Sequence, residues 1–222
     1  MPHKAPIKGF IFDFDGVLVN TAYLHFLVWQ RVAQSLKIPF EEKDNEALKG
    51  KSRDDSLDII LAMGGLSYTS AEKAKLMEQR NAWVHDMLHE KAKALVFDGV
   101  VDFIEKSIEA GLKIAIGSAS RNVPLVLEIT GLKKYFTIAI DGNMVTESKP
   151  NPKVFLTAAA GINLSPENLV VFEDSQAGVK AGNAGGFYTV GVGDQKTLQE
   201  ANTVISGFNN LEPQSIIKTL QS

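Results

Sequence analysis

The 222-residue sequence contains no cysteine. That excludes disulfides, thiol nucleophiles and thiolate metal sites, and it fits a reducing compartment. No apolar run nears the roughly 20 residues that a membrane helix needs. Residues 1–8 hold no long apolar stretch of the kind a signal peptide carries. Neither charge sign dominates. The chain has 23 Lys and Arg against 26 Asp and Glu, a net charge of -3, which gives no reason to expect nucleic acid or an anionic membrane as partner. There is no internal repeat and no low-complexity segment. A cytoplasmic monomer is therefore the default expectation.

What is present is an ordinary folding composition, 45% hydrophobic and 22% charged. The length suits one domain, or a core with a modest insert. The most informative stretch is IKGFIFDFDGVLVNT, residues 7–21. Its apolar run ends in Asp13 and Asp15 and then a glycine, which reads as a buried strand capped by a turn. In open parallel α/β sheets, chemistry sits at the carboxyl ends of the strands. Phe14 alternates to the other side of the chain, so both aspartates can project into one crevice. Two carboxylates that close repel unless a cation or a shared proton intervenes. A plainer reading is a strand running into an Asp-Gly turn.

Residues 21–37 read as an amphipathic helix with Leu24, Leu27, Val28 and Val32 as its apolar stripe. Thr21, His25 and Trp29 share another face. Leu57, Ile60 and Leu61 mark a helix from about residue 54 to the Gly64-Gly65 stop, with Ser52 as a candidate N-cap. Arg53, at that helix start, is a credible phosphate clamp, although alone it reads as a surface arginine near Asp54 and Asp55. Thr69-Ser70-Ala71-Glu72 matches a capping box and opens a long helix to about residue 90. With no strand between residues 20 and 91, this part reads as a helical insert. From residue 93 the pattern alternates helix and short apolar strand, which implies a parallel sheet covered on both faces. The expected organisation is an α/β Rossmann-like core at residues 1–18 and 93–222 and an all-α helical cap at residues 19–92, with hinges near residues 18–21 and 91–97.

The polar residues at the strand ends are of one kind. Asp13 and Asp15 follow the first strand, Ser118-Ala119-Ser120 a second, and Glu173-Asp174 a third, while Lys149 sits in the loop SKPNP. Carboxylates suit Mg²⁺, and hydroxyl, ammonium and backbone N–H groups suit a phosphoryl group. Together they describe phosphoryl transfer, in which catalysis is mostly positioning and charge neutralisation. Singly, each has a structural reading as a turn, cap or solvated residue.

The string DFDGVLVNT resembles the first motif of the haloacid dehalogenase-like phosphotransferases. With LKGKSRDDSL, QRN, SASRN, SKPNP, FEDSQAG and VGVG, nearly the whole chain resembles their β-phosphoglucomutase family. The resemblance implies a Rossmann-like core with a four- or five-helix cap. It also implies interconversion of β-glucose 1-phosphate and glucose 6-phosphate through β-glucose 1,6-bisphosphate. Asp13 would be the nucleophile and Asp15 the general acid and base. Mg²⁺ would be held by Asp13, the Asp15 carbonyl, Asp174 and Glu173. Ser118, Lys149 and the Ala119 backbone would hold the transferring phosphoryl group, and Arg53, Ser120, Arg121 and Asn122 the other phosphate. His25 and Arg80 would help place Asp15. Thr21, Trp29, Gly50, Lys51 and Ser56 would line the sugar pocket and its hinge. The chain departs from the family in carrying Arg80 and Arg121 where lysine is usual, and Lys51 where a small apolar residue is usual. A sugar-phosphate phosphatase shares Asp13, Asp15, Lys149 and Asp174 and stays open as an alternative. A non-catalytic sugar-phosphate binder is disfavoured, because both aspartates are present.

Overall fold

The computed structural model describes residues 5–48 and 53–222. Gly50, Lys51 and Ser52 lie outside the described residues. The chain divides into two compact units, residues 1–20 with 93–222 and residues 21–92.

The first unit is built on strands β1 (Gly9–Phe12), β2 (Lys113–Gly117), β3 (Ile138–Ile140), β4 (Leu169–Glu173), β5 (Tyr188–Val192) and β6 (Thr203–Ile205). All ladders are parallel and the order is β3-β2-β1-β4-β5-β6. All four residues of β1 are buried, as expected for the central strand of a sheet covered on both faces. Alternation sends successive side chains to opposite layers. Phe10 and Phe12 join Phe103, Phe172 and Phe208, with ring centroids 4.8 to 6.3 Å apart. Ile11 packs the other way, against Phe155, Ala158 and Val171. The helices of this unit are α4 (Val100–Glu109), α5 (Val123–Thr130), α6 (Lys153–Gly161), α7 (Gln176–Ala184) and α8 (Pro213–Gln221). Strand β6 carries no sequence signal, being three half-buried residues at the sheet edge.

The second unit holds α1 (Thr21–Ser35), a 3₁₀ segment Glu42–Leu48, α2 (Arg53–Met63) and most of α3 (Ser70–Leu95). Its core combines Phe26, Trp29, Val32, Phe40, Leu57 and Ile60. The capping box is formed. Thr69 N–H donates to Glu72 Oε2 at 2.8 Å and Glu72 N–H donates to Thr69 Oγ1 at 3.3 Å, so two otherwise orphaned amides are satisfied reciprocally. Among the described residues this unit has three α-helices and one 3₁₀ segment. Of these, α3 runs unbroken for 26 residues. It continues to Leu95, through most of the stretch expected to be a linker, because nothing in KAKA breaks a helix.

Both crossings between the units are tied down at their core ends. Val19 bridges Val96 in antiparallel fashion. Asn20 N–H donates to the Leu95 carbonyl at 2.7 Å, and Phe97 N–H to the Leu18 carbonyl at 3.1 Å.

Candidate active site

Strand order positions the chemistry. Strands β2 and β3 lie on one side of β1 and β4 to β6 on the other, so the chain reverses its direction of travel across the sheet between β1 and β4. In open α/β sheets such a switch point leaves a crevice at the carboxyl strand ends. Phe12 pairs with Phe172, and Asp13 N–H donates to the Phe172 carbonyl at 2.9 Å. Asp13 and Glu173 are therefore brought together at neighbouring strand ends. Lys149, from the loop between β3 and α6, sits between them. Its Nζ donates to Asp13 Oδ1 at 2.6 Å and to Glu173 Oε1 at 2.6 Å. The peptide bond from Lys149 to Pro150 is cis.

All three charges are withdrawn from water. Asp13 is 6% exposed and Glu173 1%. Burial pushes the Asp13 carboxyl up to about 7; the Lys149 ammonium opposes that shift, and Glu173 and Asp15 add to it. Burial also works against the Lys149 ammonium, but the charges of Asp13 and Glu173 outweigh it and hold its pKa above the ordinary lysine value. Asp174 stays open to solvent on one side. Even so, the walls of the crevice and then the charge of Glu173 raise it to about 6. One ammonium is too little cation for this many carboxylates. Oxygens of Asp13, Glu173 and Asp174 lie within 4.8 Å of one another, an all-carboxylate donor set that fits a hard divalent ion such as Mg²⁺.

Residues with no obvious signal in the sequence shape this pocket. Ser175 is the N-cap of α7, its Oγ accepting from Gly178 N–H at 3.0 Å. Its own N–H and hydroxyl donate to Glu173 Oε2 at 2.7 and 2.9 Å. A β-carbon on Gly178 would overlap the Glu173 carboxylate, and one on Gly16, whose φ is +81°, would overlap the Asp174 carboxylate. Asp15 is half-buried, and Gly16 N–H donates to the Val19 carbonyl at 2.9 Å, closing the turn that follows Phe14.

Of the SASRN loop, Ser118 is buried and accepts from Ser120 N–H at 3.2 Å. Ser118, Ala119 and Arg121 share with Ser148 and Lys149 the walls of a cavity of about 230 Å³. Asn122 is the N-cap of α5 but makes no side-chain capping bond.

The helical unit contains a second set of the expected residues. Arg80 is 2% exposed, and its guanidinium lies 5.1 Å over the Trp29 ring, a favourable cation–π arrangement. Its Nη2 is 3.1 Å from His25 Nδ1. Arginine has no acceptor, so in this contact the guanidinium donates and His25 Nδ1 accepts. Burial, and then the charge of Arg53, bring the Arg80 pKa down to about 10. Its buried Nε has no hydrogen-bond partner. Thr21 opens α1, Arg53 is the first residue of α2, and Ser56 is buried within α2's first turn.

An aspartate and a glutamate bridged by a lysine, with a divalent-cation donor set, stand at the switch point of a parallel sheet, an arrangement that fits a haloacid dehalogenase-like fold. The sequence profile of the haloacid dehalogenase-like hydrolases matches residues 10–192; the chain belongs to that enzyme family. It is 35% identical over 207 residues to the β-phosphoglucomutase of Bacillus subtilis, with 92% of each chain covered. It is 29% identical to a phosphorylated carbohydrates phosphatase of Thermotoga maritima, covering 97% of this chain and 99% of that one. Its structure resembles the crystal structure of β-phosphoglucomutase from Clostridium difficile with a TM-score of 0.72 and 34% identity, covering 96% and 97% of the two chains.

Proposed function

We propose that the protein is a Mg²⁺-dependent β-phosphoglucomutase. It would convert β-D-glucose 1-phosphate to D-glucose 6-phosphate, with β-glucose 1,6-bisphosphate as activator and intermediate. Asp13 attacks phosphorus and carries the phosphoryl group as an aspartyl phosphate. Asp15 gives a proton to the departing sugar oxygen and later takes one from the attacking hydroxyl. Lys149 and Ser118 donate to the phosphoryl oxygens and share the charge that builds there. When bound by Asp13, the Asp15 carbonyl, Glu173 and Asp174, Mg²⁺ supplies the positive charge that lets a carboxylate approach a phosphate dianion. The ammonium of Lys149 does part of that work already.

The observation that carries the mutase reading is Arg121, which shares one cavity wall with Ser118 and Lys149. A phosphatase needs one phosphate site. A mutase needs two, because its bisphosphate must present either end to Asp13. Arg121 with Ser120 and Asn122, and Arg53 in the helical unit, supply donors beyond those one phosphoryl group requires. Thr21, His25, Trp29, Gly50, Ser56 and Arg80 are assigned to the sugar and to placing Asp15. A sugar-phosphate phosphatase is the second reading, favoured by the 29% identity to the carbohydrate phosphatase.

The test is mutase activity on β-glucose 1-phosphate with Mg²⁺ and catalytic β-glucose 1,6-bisphosphate, with phosphate release followed in parallel. Fast glucose 6-phosphate with little free phosphate is the expected result. Phosphate released at the rate of sugar turnover would mean that water resolves the aspartyl phosphate, and the mutase assignment would fall.

A further inference from the structure

The three-residue turn after β3, Asp141-Gly142-Asn143, bears directly on the SASRN loop. Asp141 is a buried carboxylate, 6% exposed, and its Oδ1 accepts from Asn143 N–H at 2.7 Å, which closes the turn. From that turn, Gly142 N–H donates to the Ser120 carbonyl at 3.1 Å. Asn143 Nδ2 donates to the Arg121 carbonyl at 3.3 Å. Two successive carbonyls of the SASRN loop are thus held from one side.

The contact is also close. A β-carbon on Gly142 would overlap the Ala119 carbonyl oxygen, lie 2.9 Å from the carbonyl carbon and come within 3.2 Å of Arg121 Cγ. Gly142 is not among the glycines with positive φ, so space and not backbone conformation is what requires glycine here. The crowding atoms are mostly backbone, which cannot swing aside as a flexible side chain would.

We propose that the Asp141–Asn143 turn is a positioning device that fixes the height of the Ala119–Arg121 backbone, and with it the preference for a substrate carrying a second phosphate over one carrying a single small phosphate. This rests on the assignment of Ser120 and Arg121 to the second phosphate. The turn acts through the loop and touches no substrate. Lifting the Ala119 carbonyl tilts the following peptide and moves Arg121, while Lys149 and Asp13 are held by each other and by Glu173; any shift of the Ala119 backbone at the transferring phosphoryl group falls on both substrates alike and cancels in their ratio.

The readout is the ratio of kcat/KM for phosphate release from β-glucose 1,6-bisphosphate to that for acetyl phosphate. This ratio needs no mutase activity, so a wild-type enzyme that hydrolyses but does not isomerise would end the mutase assignment and leave this comparison intact. Gly142→Ala is expected to lower the ratio about tenfold, chiefly through a higher KM for the bisphosphate, as a displacement of well under an ångström at a binding loop suffices for that. Asp141→Ala, which frees the turn, is expected to lower it about threefold, the size of one lost hydrogen bond. Asp141→Asn keeps the Oδ1 acceptor without the charge and is expected to restore the wild-type ratio. A ratio within twofold of wild type in Gly142→Ala overturns the proposal. So does Asp141→Asn behaving like Asp141→Ala, which would mean that the charge, and not the turn, is what matters.

Discussion

The two units of the chain bury charge in opposite ways. In the sheet unit, Lys149 is buried between Asp13 and Glu173 with both ion pairs at 2.6 Å, and Glu173 is further held by Ser175. In the helical unit, Arg80 is buried over Trp29 with no carboxylate partner described, and its Nε is unsatisfied. Buried charges are tolerated when paired and hydrogen-bonded, and they are costly otherwise. The sheet unit therefore carries a preformed electrostatic centre, whereas the helical unit carries a cation held by His25 Nδ1 and Asn81 Oδ1, with no ion pair described and its Nε left over.

The contrast can be broken from either side. The largest effect is expected from Asp13→Asn, which removes the proposed nucleophile and should lower turnover of every phosphate ester about 10⁴-fold or more, as loss of a covalent catalytic group does elsewhere. Steady-state assays with β-glucose 1-phosphate and acetyl phosphate check this. Next is Lys149→Met, which leaves two buried carboxylates facing each other. It should destabilise the metal-free protein by about 3 kcal/mol, read from urea denaturation. Arg53→Ala should lower mutase turnover by about 10- to 100-fold while sparing acetyl phosphate hydrolysis, since a charge-assisted phosphate contact contributes ~1.5–3 kcal/mol. Equal losses in the two assays would remove Arg53 from the second phosphate site.

Two smaller effects sharpen the comparison. Folding raises Asp13 from its ordinary 3.8 to about 7 and Asp174 from 3.8 to about 6. The native state therefore binds more protons than the unfolded one across that window, and these groups lower stability as pH rises from about 4 to 7. Glu72, Glu147 and Asp194 are shifted down, so their contributions are largely complete above about pH 5 and are lost only as pH falls further. Metal-free wild type should thus lose about 2–4 °C more of its melting temperature between pH 5 and pH 7.5 than Asp13→Asn does, the equivalent of ~1 kcal/mol in a chain of this size. Calorimetry on both proteins in chelator reads the difference. Mg²⁺ should shrink it, because its ligands must be deprotonated to bind. Finally, Arg80→Met keeps volume and removes the unsatisfied Nε. It should stabilise the helical unit by about 1 kcal/mol, measured by hydrogen exchange in α1 and α3. Clear destabilisation would mean that the guanidinium is structurally required there.

Much of the fold was legible because its signals are local. Continuous apolar runs marked the strands, Thr69 and Glu72 marked the start of α3, and the aspartates marked the end of β1. The end of α3 was misplaced because the residues after 90 contain no breaker, and β6 was missed because three half-buried edge residues carry little pattern. The strand-end residues were legible as a set. Asp141, Gly142, Ser175 and Gly178 were not, because turn and cap residues look alike whether or not they support a site. The burial of Arg80 was also hidden, since an arginine in a polar helix reads as solvated.

The sequence by itself determined which groups are available: two aspartates beyond a buried strand, a Glu-Asp pair beyond another, a lysine in a loop, and helices between them. Only the tertiary structure decided that Asp13 and Lys149, 136 residues apart in the chain, would share a proton-rich contact with Glu173. The reason is physical. Strand order β3-β2-β1-β4 sets which strand ends are neighbours, and it is neighbours that remove water. Removing water is what turns an ordinary aspartate into one with a pKa of about 7.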